Sequence, residues 1–109
     1  MLDAMTLDQI RTFVTVADSG SFRSGAARLL RVQSAVSHAI ANLEAELELQ
    51  LFDRSGYRPV LTPEGEALLA HARDILLRAD AMRARARALG AGGELELALV
   101  VDTLFPIES

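Results

Sequence analysis

The chain has no cysteine among its 109 residues, which excludes disulfides and thiolate metal sites. It also has no lysine, so its basic residues are all arginine. No apolar run approaches the roughly 20 residues of a membrane span, and the N-terminus lacks the basic-then-apolar pattern of a signal sequence. The expectation is a cytoplasmic protein with no membrane partner. A catalytic constellation is missing as well: Glu44, Glu46 and Glu48 scatter around one helix end, with no nucleophile or glycine-rich phosphate loop beside them. His38 has no neighbouring ligand type to support a metal, and His71 reads as structural or solvent-facing. The chain is therefore expected to be no enzyme and to carry no metal or cofactor of its own. Half of the residues are hydrophobic and about a quarter charged, as in an ordinary globular protein with room for one domain and an appendage.

The segment Ser21 to Leu47 is the most informative. Ser21 to Leu30 reads as a short helix, Arg31-Val32 as a turn, and Gln33 onward as a second helix. The small residues Gly25, Ala26 and Ala27 allow the close helix crossing of a helix-turn-helix. Val36, Ile40, Leu43 and Leu47 recur at helical spacing and predict one buried side. Gln33, Ser34, Ser37, His38 and Asn42 are then left facing outward, with side chains suited to base edges in a major groove. The competing interpretation of this polar face is an ordinary solvated helix surface.

A formal net charge of −4 argues against a nucleic-acid partner until the distribution is considered. Residues 20–43 and 54–62 hold Arg23, Arg28, Arg31, Arg54 and Arg58 and no acid. Phosphates respond to that local field rather than to the total.

The flanking elements are readable too. Thr6 with Gln9 makes a capping box, Met5 with Ile10 a hydrophobic staple, and Leu7, Ile10, Phe13, Val14 and Ala17 a buried stripe. Asp18-Ser19-Gly20 ends this first helix with glycine in the C′ place. Ser21 caps the next helix. Val32 is a poor cap for the third, so Gln33 or Ser34 is expected to serve. Gln50-Leu51-Phe52 and Pro59-Val60-Leu61 read as strands of a small hairpin, with Ser55-Gly56 supplying the turn. A hairpin directly after such a helix is a wing, with Arg54 and Arg58 flanking its tip. Arg54 has the alternative of pairing with Asp53 or Glu48.

Thr62-Pro63-Glu64 then starts a long helix, with a capping hydroxyl, proline at N1, and Glu64 and Glu66 near the positive end of the dipole. It runs to Leu89 and stops at the glycines from Gly90, spanning about 40 Å. Leu68, Ala72, Ile75, Ala79, Met82, Ala86 and Leu89 alternate in steps of four and three, the pattern of a coiled-coil seam. This seam is expected to dimerise, the alternative being core within one chain. Leu69, Leu76 and Leu77 widen it. Glu94 to Val101 has strand alternation, and a lone strand cannot bury its sides. The expected layout is a winged helix-turn-helix over 1–62, a linker helix over 63–90, and over 91–109 a hinge with the first strand of a cut-off second domain.

These words resemble the N-terminal part of LysR-type transcriptional regulators: Leu7-Asp8-Gln9-Ile10-Arg11-Thr12-Phe13, Gly20-Ser21-Phe22, Ala26-Ala27-Arg28-Leu29, Gln33-Ser34-Ala35-Val36-Ser37, Leu51-Phe52-Asp53-Arg54 and Leu61-Thr62-Pro63-Glu64-Gly65-Glu66. They cover most of residues 5 to 76 in the family's order. The resemblance implies a mainly α fold: a winged helix-turn-helix followed by a long dimerising helix. It implies a sequence-specific regulator bound to double-stranded DNA, as a homodimer that assembles into tetramers, with a small-molecule effector held by a domain outside this chain. Gln33, Ser34, Ser37 and His38 would read bases, with the helix in the major groove and the wing near the minor groove. The five arginines would meet phosphate. His38 stands where many members have arginine, and Leu30 where a polar residue is common. The rival function is a winged-helix module for protein contact and dimerisation that does not read DNA.

Overall fold

Hydroxyl caps set the start of three of the four helices. In the computed structural model, which describes residues 5–91, α1 (Leu7–Ser19) begins at Thr6. The Thr6 hydroxyl accepts from the Gln9 N–H, and the Gln9 side chain accepts from the Thr6 N–H in return. α2 (Phe22–Leu29) begins at Ser21, whose hydroxyl accepts from the Ser24 N–H at 2.9 Å. α4 (Pro63–Gly90) begins after Thr62, whose hydroxyl accepts from the Gly65 N–H at 2.8 Å. α3 (Gln33–Leu47) is the exception. Its N-cap is Val32 itself, with no side-chain capping bond; neither Gln33 nor Ser34 takes that role, because both already lie inside the helix. An apolar cap in place of a hydroxyl costs a helix about 0.5–2 kcal/mol.

The helix ends divide in the same way. Gly20 closes α1 in the left-handed conformation (φ 85°), as glycine does at low cost. Leu30 closes α2 at φ 56° with its side chain 91% exposed. α2 therefore stops one residue short of the expected Leu30, and the turn runs Leu30-Arg31-Val32. Leucine in this backbone region is strained.

α1, α2 and α3 pack around Phe13, Val16, Ala26, Val36, Ile40 and Leu43, all buried. The stripe of α1 is rotated from its expected position. Ile10, Thr12, Phe13 and Val16 are the buried residues, Val14 and Ala17 pack only partly, and Leu7 is 39% exposed at the stripe's edge. Thr12 is fully buried but satisfied, its hydroxyl donating to the Asp8 carbonyl at 2.8 Å. Gly25 is where α2 meets α1: a methyl there would lie 2.8 Å from a Val16 methyl carbon.

The hairpin is shorter than expected, β1 (Phe52–Asp53) against β2 (Val60–Leu61), antiparallel, with Phe52 opposite Leu61 and Asp53 opposite Val60. Its loop is opened by Asp53, whose carboxylate accepts from the Ser55 N–H (2.9 Å) and hydroxyl (2.7 Å). Gly56 does not take a positive φ, so side-chain bonding, rather than glycine conformation, starts this turn. Phe52 joins the hairpin to the helices, edge-on to Phe13 (centroids 5.8 Å) and to Phe22 (5.4 Å).

The described residues fall into two units, one running to Leu76 and the other starting at Leu77. Within the first unit, Ala72 belongs to the core and Leu68, Leu69 and Leu76 pack against it. This corrects the seam assignment at Ala72, whose side chain is taken up by the chain's own core, while Leu68 is half-buried against that core. Ile75 is 38% exposed. In the second unit Met82 (73%), Leu89 (64%) and Leu77 (67%) are exposed, and Arg83 pairs with Asp80 one turn earlier at 3.0 Å. The strand expected over residues 94–101 lies outside the described residues, as does nearly all of the 91–109 segment. No helix among the described residues is long and apolar enough to cross a membrane.

Candidate nucleic-acid interface

Three buried positions at helical spacing orient α3. Val36, Ile40 and Leu43 turn inward, so Gln33, Ser34, His38, Ala41 and Asn42 are exposed and Ser37 is half-buried. The polar residues of α3 thus form one outward face, beginning at the turn that joins it to α2.

Glu44 fixes the wing to the far end of that helix. Its carboxylate accepts from the Leu51 N–H at 2.8 Å and the Phe52 N–H at 3.3 Å. The Thr62 hydroxyl donates to the Gln50 carbonyl at 2.6 Å, and the Thr62 N–H donates to the Leu51 carbonyl at 2.9 Å. The base of the hairpin is therefore held from α3 on one side and from the start of α4 on the other. Gly65 completes the clamp, since any Cβ there would collide with the Leu51 carbonyl. The sequence alone sets Glu44 with Glu46 and Glu48 among the acids at one helix end and gives it no bond to the wing. Its spacing of one turn from Ile40 was the available signal that it sits beside the core.

The five candidate arginines are all exposed, but they are not equivalent. Arg54 does not pair with Asp53 or Glu48; its guanidinium lies over the Phe22 ring, 4.3 Å from the centroid. This cation–π contact ties the wing loop to the start of α2 while Arg54 remains exposed. Arg31 makes a two-pronged ion pair with Asp8 at the start of α1, one prong at 2.9 Å. The Arg31 hydrogen bonds hold the Asp8 carboxyl below its usual range, and Asp8 in turn raises the Arg31 guanidinium. Arg23 and Arg58 have no ion-pair partner among the described residues. Arg28, in the last turn of α2, acts through space on Asp18, whose pKa is lowered chiefly by its hydrogen bonds to Arg73 (2.7 and 3.1 Å).

Two features were not anticipated. Tyr57, in the wing loop, is 99% exposed. Leu30 and Val32, on the turn before α3, are 91% and 66% exposed, placing apolar side chains beside the polar face.

A hairpin pinned behind an outward polar helix, with arginines on both sides, is a winged helix-turn-helix. Residues 7–66 match the family model for the bacterial regulatory helix-turn-helix protein, lysR family. The chain belongs to that family. It is 41% identical over 103 residues to the probable HTH-type transcriptional regulator YhaJ of Escherichia coli (strain K12), covering 94% of this chain and 35% of YhaJ. Among solved structures it resembles BenM_DBD in its catB site 1 DNA complex, with a TM-score of 0.77, 34% identity, and coverage of 82% of this chain and 96% of that one. The CbnR_DBD–DNA complex gives a TM-score of 0.74 and 35% identity, covering 79% and 99%. The fold of this lysR-family chain is thus mainly helical, with a two-stranded wing and a long helix after it. It spans about a third of the length of curated relatives such as YhaJ.

Proposed function

We propose that this chain is the DNA-reading and dimerising part of a LysR-type transcriptional regulator. In this reading α3 enters the major groove and presents Gln33, Ser34, Ser37 and His38 to base edges. The wing reaches toward the adjacent minor groove. Arg23, Arg28, Arg54 and Arg58 meet phosphate and set the register, and Arg31 contributes less because Asp8 already engages both of its terminal nitrogens. The observation that carries the proposal is the outward polar face of α3, flanked by exposed arginines, in a fold shared with domains solved on DNA.

Two copies would associate through the apolar residues of α4 that the core leaves over: Ile75, Ala79, Met82, Ala86 and Leu89. Exposed apolar side chains repeated along one helix favour a partner helix. In the whole protein, such dimers would pair into tetramers in the cytoplasm, and a further domain would hold a small-molecule effector. The relatives carry the names of transcriptional regulators, which supports a regulatory rather than an enzymatic role.

The test is a mobility shift on duplexes that the chain retains from a genomic pool, repeated across salt. With 6–10 phosphate contacts per dimer, affinity falls about 10³–10⁵-fold between 50 and 200 mM salt. A salt-independent shift, or no retention of any duplex, defeats the proposal.

A further inference from the structure

The turn into α3 replaces a helix cap with an exposed apolar side chain. Thr6, Ser21 and Thr62 each use a hydroxyl to accept from the backbone three residues on. Val32 occupies the same place on α3 and makes no such bond. Its backbone is ordinary for a cap (φ −76°, ψ 150°), and its carbonyl starts the helix by accepting from the Ala35 and Val36 N–H groups at 3.1 and 3.3 Å. A serine would therefore suit this backbone and would cap the helix. The isopropyl group is not used for packing either, being 66% exposed. Neither helix stability nor the core explains a valine here.

Its neighbours do. Val32 immediately precedes Gln33 and Ser34, and Ala35, also exposed, adds a methyl on the next turn of backbone. In a helix-turn-helix, the N-terminal residues of the second helix are those that meet base edges. Among major-groove edges, the apolar one is the thymine C5-methyl group, and apolar side chains read it by contact.

We propose that Val32 is a specificity-determining residue that reads a thymine methyl group in the operator, with Ala35 forming the other side of the contact. This rests on the DNA-reading function proposed above and names the base class at one position. An uncapped α3 is then the consequence of using the cap position for recognition. The exposed Leu30, one residue beyond Arg31, lies on the turn itself rather than on α3 and is not assigned to the base.

The experiment uses the full chain and a duplex it retains from a random-sequence pool, resynthesised with deoxyuridine in place of each thymidine in turn. Deoxyuridine removes the methyl group and leaves pairing intact. The expected result is one thymidine per half-site whose replacement weakens binding about 3–10-fold. That penalty should vanish for Val32→Ala and Val32→Ser, each of which binds the thymidine duplex more weakly. Val32→Ser also restores a capping hydroxyl, so it should melt no lower than the parent, which separates lost recognition from lost folding. Uniform tolerance of deoxyuridine overturns the proposal, as does a penalty that persists in both variants, since another residue would then hold the methyl group. Failure to retain any duplex overturns the DNA-reading function itself, a result distinct from retention without methyl sensitivity.

Discussion

The Leu51 carbonyl closes over Gly65 so tightly that the first turn of α4 has no room for a side chain there. That carbonyl also accepts from the Thr62 N–H, so it cannot swing away without losing a bond. Gly65→Ala should destabilise the domain by about 1–3 kcal/mol, the range for overpacking. Gly25→Ala offers the contrast: its new methyl would lie 2.8 Å from a Val16 side-chain carbon and 3.1 Å from the Val16 Cα, a smaller overlap than the one Gly65→Ala makes with the Leu51 carbonyl. Urea denaturation should place Gly65→Ala below Gly25→Ala. The reverse order would mean that the α4 start, rather than the helix crossing, is the more adaptable contact.

Glu44 makes two charge-assisted bonds to the hairpin backbone. Removing the acceptor leaves the Leu51 and Phe52 N–H groups unmatched beside two buried side chains. Glu44→Ala should cost about 1.5–3 kcal/mol, and Glu44→Gln, which keeps an acceptor oxygen, should cost less. Hydrogen exchange at the Leu51 amide is the local readout. It should accelerate in Glu44→Ala before the amides of the α1 interior do. Unchanged protection would show that β1 is held by its strand partner alone.

Acid should weaken the fold through its carboxylates. Asp8, Asp18 and Asp53 are each held below the ordinary aspartate range, chiefly by hydrogen bonds from Arg31, Arg73 and Ser55 respectively. A carboxyl whose folded value is depressed binds its proton more readily when unfolded. Its contribution is present above the unfolded value, near pH 4, and disappears as pH falls through the lower folded value. The urea midpoint should therefore decline below about pH 4 and be flat from there to neutrality. Asp18→Asn should lie below the parent at pH 7 and converge with it at pH 2. Parallel curves at both pH values would remove Asp18 from the acid response.

The boundary between what could be read from the sequence and what could not follows the range of the interaction. Thr6 with Gln9, Ser21, and Thr62 with Pro63 mark helix starts because a cap acts within three residues, and each does so in the structure. The buried side of α3 was equally local, since Val36, Ile40 and Leu43 repeat with the helix. Arg31 with Asp8 joins residues 23 apart, and Arg73 with Asp18 joins residues 55 apart; no periodicity signals either. Leu68 and Ala72 show the same limit from another direction. Spacing establishes that they share a helix face, but which molecule covers that face depends on where α1 to α3 pack. Leu30 and Val32 run against local preference, one in a left-handed backbone and the other at an uncapped start, so the turn at Arg31-Val32 is legible while its extension to Leu30 is not.

The division of α4 makes the proposed dimer testable without confusing association with folding. Ala72 is 6% exposed in the core, so Ala72→Asp buries an unpaired carboxylate and should cost more than about 3 kcal/mol. Met82 is 73% exposed, and Met82→Asp should leave the thermal unfolding of dilute protein near the parent's. If the proposed dimer forms through these residues, sedimentation should find the parent dimeric and Met82→Asp shifted toward monomer at micromolar concentration. A Met82→Asp protein that stays fully dimeric would place the interface elsewhere.

Under the DNA-reading function proposed above, the Asp8 ion pair sets how much of Arg31 is available to DNA. Arg31 sits in the turn before α3, where a guanidinium would face the backbone of a bound duplex, yet both of its terminal nitrogens are on the Asp8 carboxylate. The pair carries no net charge, so it adds little to the field that attracts phosphate. Asp8→Asn keeps a neutral acceptor in place while releasing the charge. Affinity for any duplex should rise, and the slope of log affinity against log salt should steepen by close to one per protomer. Arg31→Ala should change that slope much less than Arg58→Ala, because Arg58 has no competing acid among the described residues. Asp8→Asn with Arg31→Ala should return the slope to that of Arg31→Ala alone, which assigns the gain to the arginine rather than to the loss of a negative charge at large. If Asp8→Asn steepens the slope equally in both backgrounds, Asp8 acts by general repulsion and the pairing with Arg31 has no part in DNA binding.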